Sequence, residues 1–125
     1  MADLRAQFLK ANPFRSRIVE VQVPQHEGEP LTLSVRVKQP TVQERNEIFA
    51  ETKVKNGEIS AGGGATTGAK AIIYCCRNPE NDEPIFGLAD LDALQHTPAG
   101  GWVDILASEV MKVLIEAQDN AKKSA

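Results

Sequence analysis

IVEVQVPQHEGEPLTLSVRVK, residues 18–38, decides the fold. In its first part Val19, Val21 and Val23 alternate with Glu20 and Gln22, the period of two that a half-buried strand requires. Pro24 closes that run. In its second part Leu31, Leu33, Val35 and Val37 alternate with Thr32, Ser34, Arg36 and Lys38, so two strands each present one apolar and one polar face. Between them Gln25–Pro30 holds a glycine among charged and turn-forming residues. Two such strands joined by a short polar link predict a β-hairpin with one wet face. An isolated hairpin is marginal in water, so the rest of the chain or a partner must cover its apolar side.

Downstream, Gln39-Pro40 ends the second strand, and Thr41-x-x-Glu44 has the form of a capping box. Each of those side chains can satisfy a free backbone N–H of the other residue. The spacing predicts a peripheral helix from Val42 toward Thr52, with an exit at Asn56-Gly57. GEISAGGGATTG, residues 57–68, follows with five glycines. Glycine loses the most backbone freedom on folding, so residues 56–68 are expected to form a flexible loop. Thr66 or Thr67 would then cap a central helix that turns Ala69, Ile72, Ile73 and Cys76 inward, flanked by Ala71, Tyr74 and Cys75. Asn78-Pro79 ends it.

NPENDEPIF, residues 78–86, places a polar acidic turn before the apolar pair Ile85-Phe86. Leu88, Leu91 and Leu94 predict a short helix, and Thr97-Pro98 and Gly100-Gly101 break the chain before a long one. From Trp102 to about Ala121, Trp102, Ile105, Leu106, Val110, Val113, Leu114 and Ala117 make one stripe, with Val103, Ala107, Met111 and Ile115 beside it. So wide an arc exceeds what one small core takes. Either the helix is internal, or its second face meets another subunit. Upstream of the hairpin, Leu4, Phe8 and Ala11 lie at helical spacing with Leu9 beside them, and Pro13 stops that segment. The fold class is α+β: an N-terminal β-hairpin packed on a small bundle of about four helices, a single domain over 1–125 with a frayed tail at 120–125.

Composition mainly excludes. The 125 residues carry a net charge of −3 from 14 basic and 17 acidic side chains, too balanced for electrostatic capture of nucleic acid. The basic residues form no stripe interleaved with aromatics, so nucleic acid is not an expected partner. The longest apolar run, Ala71–Cys76, falls far short of the ~20 residues that span a bilayer, so no membrane is expected. The first residues lack the apolar core of a secretory signal, and the chain is read as cytoplasmic. Cys75 and Cys76 are neighbours, which disfavours a bridge, and are read as reduced thiols. His26 and His96 lie far from them, so no metal is expected. Gly63, Gly68 and Lys70 suggest a phosphate loop, but Ala69 separates Gly68 from Lys70, Ala71 follows, and no strand precedes. Glu80, Asp82 and Glu83 sit in a solvated turn, and His96 has no nucleophile motif beside it. No catalytic residue and no cofactor are expected.

The stretches LTLSVRVKQPTVQERNEIF (31–49) and AIIYCCRNPENDEPIFGLADLDAL (71–94), followed by the helix from Trp102, resemble the tail assembly chaperones of long-tailed bacteriophages and prophages. The likeness lies in the order and spacing of elements, and covers most of the chain. It departs at Glu80-Asn81-Asp82-Glu83, where the family often has glycine, and at the glycine-rich loop. The resemblance implies a non-enzymatic role: coating the tape measure protein and helping to recruit tail tube protein during tail assembly. It also implies a longer form made by ribosomal frameshifting; a slippery codon run can encode Ala121-Lys122-Lys123, but lysines that offset the dipole at a helix C-terminus explain Lys122 and Lys123 without it. A structural head–tail connector or tail terminator subunit is the alternative. A chaperone must offer apolar surface, and Phe8, Leu9 and Phe14, with Val103, Ala107, Met111 and Ile115 on the last helix, are the expected partner-binding residues. A second copy of the chain is a further candidate partner for that helix.

Overall fold

A computed structural model describes residues 4–9, 14–50, 54–55, 58–59 and 64–122. Helix α1 spans Leu4–Leu9, strands β1 and β2 span Ser16–Val23 and Leu31–Lys38, and helix α2 spans Val42–Ile48. Two-residue strands β3 (Val54–Lys55) and β4 (Glu58–Ile59) pair with each other. Helix α3 covers Gly64–Cys75, strand β5 Cys76–Arg77, helix α4 Leu91–Gln95 after a 3-10 turn at Leu88–Asp90, and helix α5 Trp102–Ala121. The architecture is α+β, as the alternating strands and helical periods require.

The hairpin forms as its alternation demands. β1 and β2 pair antiparallel with Val19 opposite Val35, Val21 opposite Leu33 and Val23 opposite Leu31, so the apolar residues share one face. Gly28 has a φ of +88° in the connection, a conformation that favours glycine. The capping box of α2 is present in both directions: the Glu44 amide donates to Thr41 Oγ1 at 3.0 Å and the Thr41 amide to Glu44 Oε1 at 2.9 Å. The helix stops at Ile48 with Phe49 as its C-cap, earlier than the expected run toward Thr52.

Two further elements differ from expectation. The helix expected to start at Thr66 or Thr67 begins at Gly64, so the end of the 56–68 stretch is helical and β4 lies within it. Residues 56–57 and 60–63 of that stretch lie outside the described residues. Glycine is a poor helix former, but Ala69, Ala71, Ile72, Ile73 and Cys75 bury the next turns, and tertiary packing overrides local propensity. The helix also ends at Cys75 rather than Asn78. Cys76 and Arg77 instead pair with Val37 and Arg36, completing a sheet of order β1-β2-β5.

The core lies between the apolar face of that sheet and helices α3 and α5. Val37, Ile48, Ile72, Cys75, Cys76, Leu106 and Val110 are the largest fully buried side chains among the described residues. Helix α5 runs antiparallel to β1. At one end Arg17 of β1 donates to Glu109 at 3.1 Å and to Glu116 at 2.8 Å, and at the other Trp102 and Leu106 face Val21 and Val23. Glu109 and Glu116 are two helical turns apart, so one guanidinium spans both. Burial alone would raise the Glu109 carboxyl, but hydrogen bonds and charge from Lys112 and Arg17 hold it below the usual range. Helix α5 persists to Ala121, into the stretch expected to fray, and residues 123–125 lie outside the described residues.

The acidic turn is a tight one. The Asn78 amide donates to the Glu83 carbonyl at 2.8 Å and the Asp82 amide to the Asn78 carbonyl at 2.7 Å, with Asp82 at a φ of +59°. The turn stands beside the sheet's outer face, where the Asp82 carboxylate lies 3.8 Å from Arg36 and 3.9 Å from Lys38. Arg36 and Arg77 are directly opposite across β2 and β5, and Asp82 offsets that like-charge pairing.

Candidate functional site

The far end of the hairpin extends beyond full cover. Val21 and Val35 are buried, but Leu33 is 45% exposed and Leu31 50% exposed on the same apolar face. Beside them an open groove of about 410 Å³ runs between the sheet, the Asn78–Phe86 segment and the start of α5. Val21, Val35 and Leu106 form its floor. Its wall is Phe86 stacked on Trp102, ring centroids 5.9 Å apart and planes 15° from parallel. Leu33 and Ile85 stand at its exposed rim. Among the described residues, Ser34 and Asn78 are its only Ser, Thr, Asn or Gln lining residues and no titratable side chain lines it. Such a site offers apolar burial to a ligand.

The geometry of α5 sets the groove. Gly100 has a φ of +84° and donates its amide to the Asp104 carboxylate in the first turn, which turns the chain into the helix just before Trp102. The Gly87 amide donates to Asp90 at 2.8 Å, which sets the start of the 3-10 turn directly after Phe86. Local capping thus anchors both aromatic rings, although only the tertiary fold brings them together.

The expected partner-binding residues fall into three groups. Phe8 and Leu9 are 74% and 67% exposed on α1, none of whose residues is buried. Phe14, 47% exposed, precedes β1 and carries the Lys38 ammonium 4.9 Å from its ring centroid. On α5, Val103, Ala107 and Met111 pack against the chain's own core, and only Ile115 stands open at 57%. The reason is the close approach of α3: a Cβ built on Gly68 would lie 3.6 Å from that of Ala107. Much of the wide arc is therefore used internally, and Ile105, assigned to the inner stripe, is exposed instead. Sequence reasoning did not single out the groove. Its signals were Leu31 and Leu33 at the hairpin end, the Ile85-Phe86 pair, and Trp102, the one tryptophan, at the start of a helix.

Cys75 and Cys76 are free and buried, and burial pushes both thiols up, Cys76 to about 12, so both are protonated near neutrality. His96 Nδ1 lies 2.8 Å from the Asp92 carbonyl within its own helix turn. Among the described residues no three His, Cys, Asp or Glu side chains converge as metal ligands, and no helix is long and apolar enough to cross a membrane.

A hairpin roofed on its apolar face by two helices, with a short strand added from the end of one of them, defines the class: a small α+β domain with an open apolar groove. That fold is shared with a known protein. A structure of the bacteriophage HK97 tail assembly chaperone superposes with a TM-score of 0.52 over 79% of this chain and 86% of that one, at 16% identity. At that identity the likeness is one of fold, and at that level it meets the resemblance seen in the sequence. No family model matches the chain, and no curated protein does.

Proposed function

We propose that this chain is a non-enzymatic tail assembly chaperone that binds the tape measure protein and helps bring tail tube protein to it in the bacterial cytoplasm. The observation that carries the reading is the fold shared with the HK97 tail assembly chaperone over most of both chains. The groove supports it independently. A tape measure protein is long and helical, and exposes apolar side chains until the tube encloses it. A groove lined by Leu33, Phe86, Trp102 and Leu106 can take such side chains from water, at roughly 25 cal/mol per Å² of apolar surface buried. Association costs offset much of that gain.

Co-expression with the tape measure and tail tube proteins of the same phage or prophage tests the proposal. The chain should co-purify with the tape measure protein and keep it soluble, and Leu33→Glu at the groove rim should weaken that capture. Absence of binding at micromolar concentrations would count against the reading. Persistence of the chain in purified virions would instead favour a connector or terminator subunit.

A further inference from the structure

The register of the sheet fixes which backbone groups of β2 are free. The Gln39 amide donates to the Arg15 carbonyl at 2.8 Å, and these two residues continue the register that sets Ser16 opposite Lys38. In an antiparallel ladder, pairs that exchange hydrogen bonds alternate with pairs that do not. The odd-numbered residues of β2 therefore turn their N–H and C=O groups to β1, and the even-numbered ones turn theirs away. Arg36 meets Arg77 of β5 on that second side. The chain then leaves the edge at Asn78-Pro79, and Pro79 has no N–H to donate. The outward N–H and C=O groups of Thr32 and Ser34 are left without a partner among the described residues. Residues 31–35, LTLSV, also lack the charge, proline or bulge that blunts exposed edges, whereas β1 has Glu20 midway along its own outer edge. The groove beside Trp102 reaches the free edge of β2 alone. Ser34 lines it although its side chain belongs to the wet face, with Asn78 and Pro79 next to it, while Glu20 and Gln22 of β1 do not.

We propose that the free edge of β2 at residues 31–35 binds an extended segment of a partner protein as a further strand, in line with β5, with apolar side chains at alternate positions of that segment. The free backbone groups choose the occupant. An extended chain presents its own N–H and C=O groups to Thr32 and Ser34, whereas a helix has already used its own internally. The partner residue opposite Leu33 shares the sheet's inner face, so its side chain enters the groove that Leu33 and Phe86 line. Main-chain bonds thus hold the segment, and the groove selects which side chain it carries. Under the chaperone reading that segment belongs to a client. The strand pairing itself does not rest on that reading, and its test contains no phage protein, so the two can fail separately.

Short peptides selected from a random display library on the full-length chain provide the test. They should carry apolar residues at i and i+2, and should shift the emission of the single tryptophan to the blue as they cover the groove. By NMR, the Thr32 and Ser34 amides should exchange freely in the unbound protein, with Leu33 and Val35 protected, and should become protected when peptide binds. Methylating the peptide nitrogens that face β2 should weaken binding at least about tenfold, and methylating the intervening ones should not. Ser34→Pro removes one outward N–H, leaves the bonds to β1 in place, and should lose peptide binding while staying folded by circular dichroism. If that variant unfolds, the methylated peptides on the unaltered chain decide. The proposal is overturned if no peptide is selected, if both methylated series bind alike, or if the anchors recur at i, i+3 and i+4, which assigns the groove to a helix. It is overturned equally if raising the protein concentration alone protects the Thr32 and Ser34 amides, since a second copy then holds the edge.

Discussion

Leu106 is 1% exposed, sits on the inner stripe of α5 and forms part of the groove floor, so its truncation reports on both core and site. Leu106→Ala removes three carbons, about 2.4 kcal/mol of transfer free energy at ~0.8 kcal/mol each. An enclosed cavity would add to this and carry the loss toward the upper part of the ~2–5 kcal/mol range for such changes. Here the vacated space joins the open groove, where water enters and the neighbouring Trp102 and Val21 side chains can relax. The expected loss is therefore about 2.5–3 kcal/mol. For 125 residues, with an unfolding entropy near 2.1 cal/mol/K per residue, that lowers Tm by about 10 °C. Urea unfolding followed by circular dichroism measures it, with an unchanged m-value as the check that the denatured state is not altered. A loss below about 1 kcal/mol would mean that Leu106 is not packed between helix and sheet. A loss above about 4 kcal/mol would mean that the site is sealed and the groove is not open.

Three further outcomes are expected. Thr41→Ala removes one half of the capping box and should cost about 1 kcal/mol in thermal or urea unfolding, whereas Thr41→Ser should cost little. The Glu109 carboxyl is held below its ordinary value of 4.5, so the folded state binds fewer protons than the unfolded one; its stabilisation is complete above about pH 4.5 and is lost as pH falls through the lowered value. Tm should therefore fall on acidification below that point, and Glu109→Gln should flatten the acid limb while leaving the slope between about pH 6 and 8 unchanged. Cys75 and Cys76 are buried neutral thiols, so a disulfide-exchange reagent at neutral pH should label neither in the native protein and both in denaturant.

Where structure is local, it was legible. The period of two in Val19–Val23 and Leu31–Val37 reports which side chains share a face, and the capping box reports where α2 starts, because both depend on residues a few positions apart. The start of α5 at Trp102 was legible in the same way, from the Gly100-Gly101 break and the apolar spacing after it. Cys76-Arg77 was not legible as a strand. Two residues carry no period, and only pairing with Val37 and Arg36, some forty positions upstream, makes them extended. The glycines from Gly64 onward likewise read as loop, since their helical state depends on what Ile72 and Ile73 pack against.

The candidate site divides along the same line. Sequence patterning alone established that the hairpin has an apolar face and that the last helix is apolar over a wide arc. It left open which parts of those surfaces the chain uses itself. Tertiary structure decided that Val103, Ala107 and Met111 turn toward the core beneath α3, while Leu31, Leu33, Phe8 and Ile115 remain open. It also set Phe86 against Trp102 to wall a groove. The reason is physical: hydrophobic periodicity depends on side-chain direction along one element, which neighbouring residues determine, whereas burial depends on which second element arrives, which the packing of the whole chain determines.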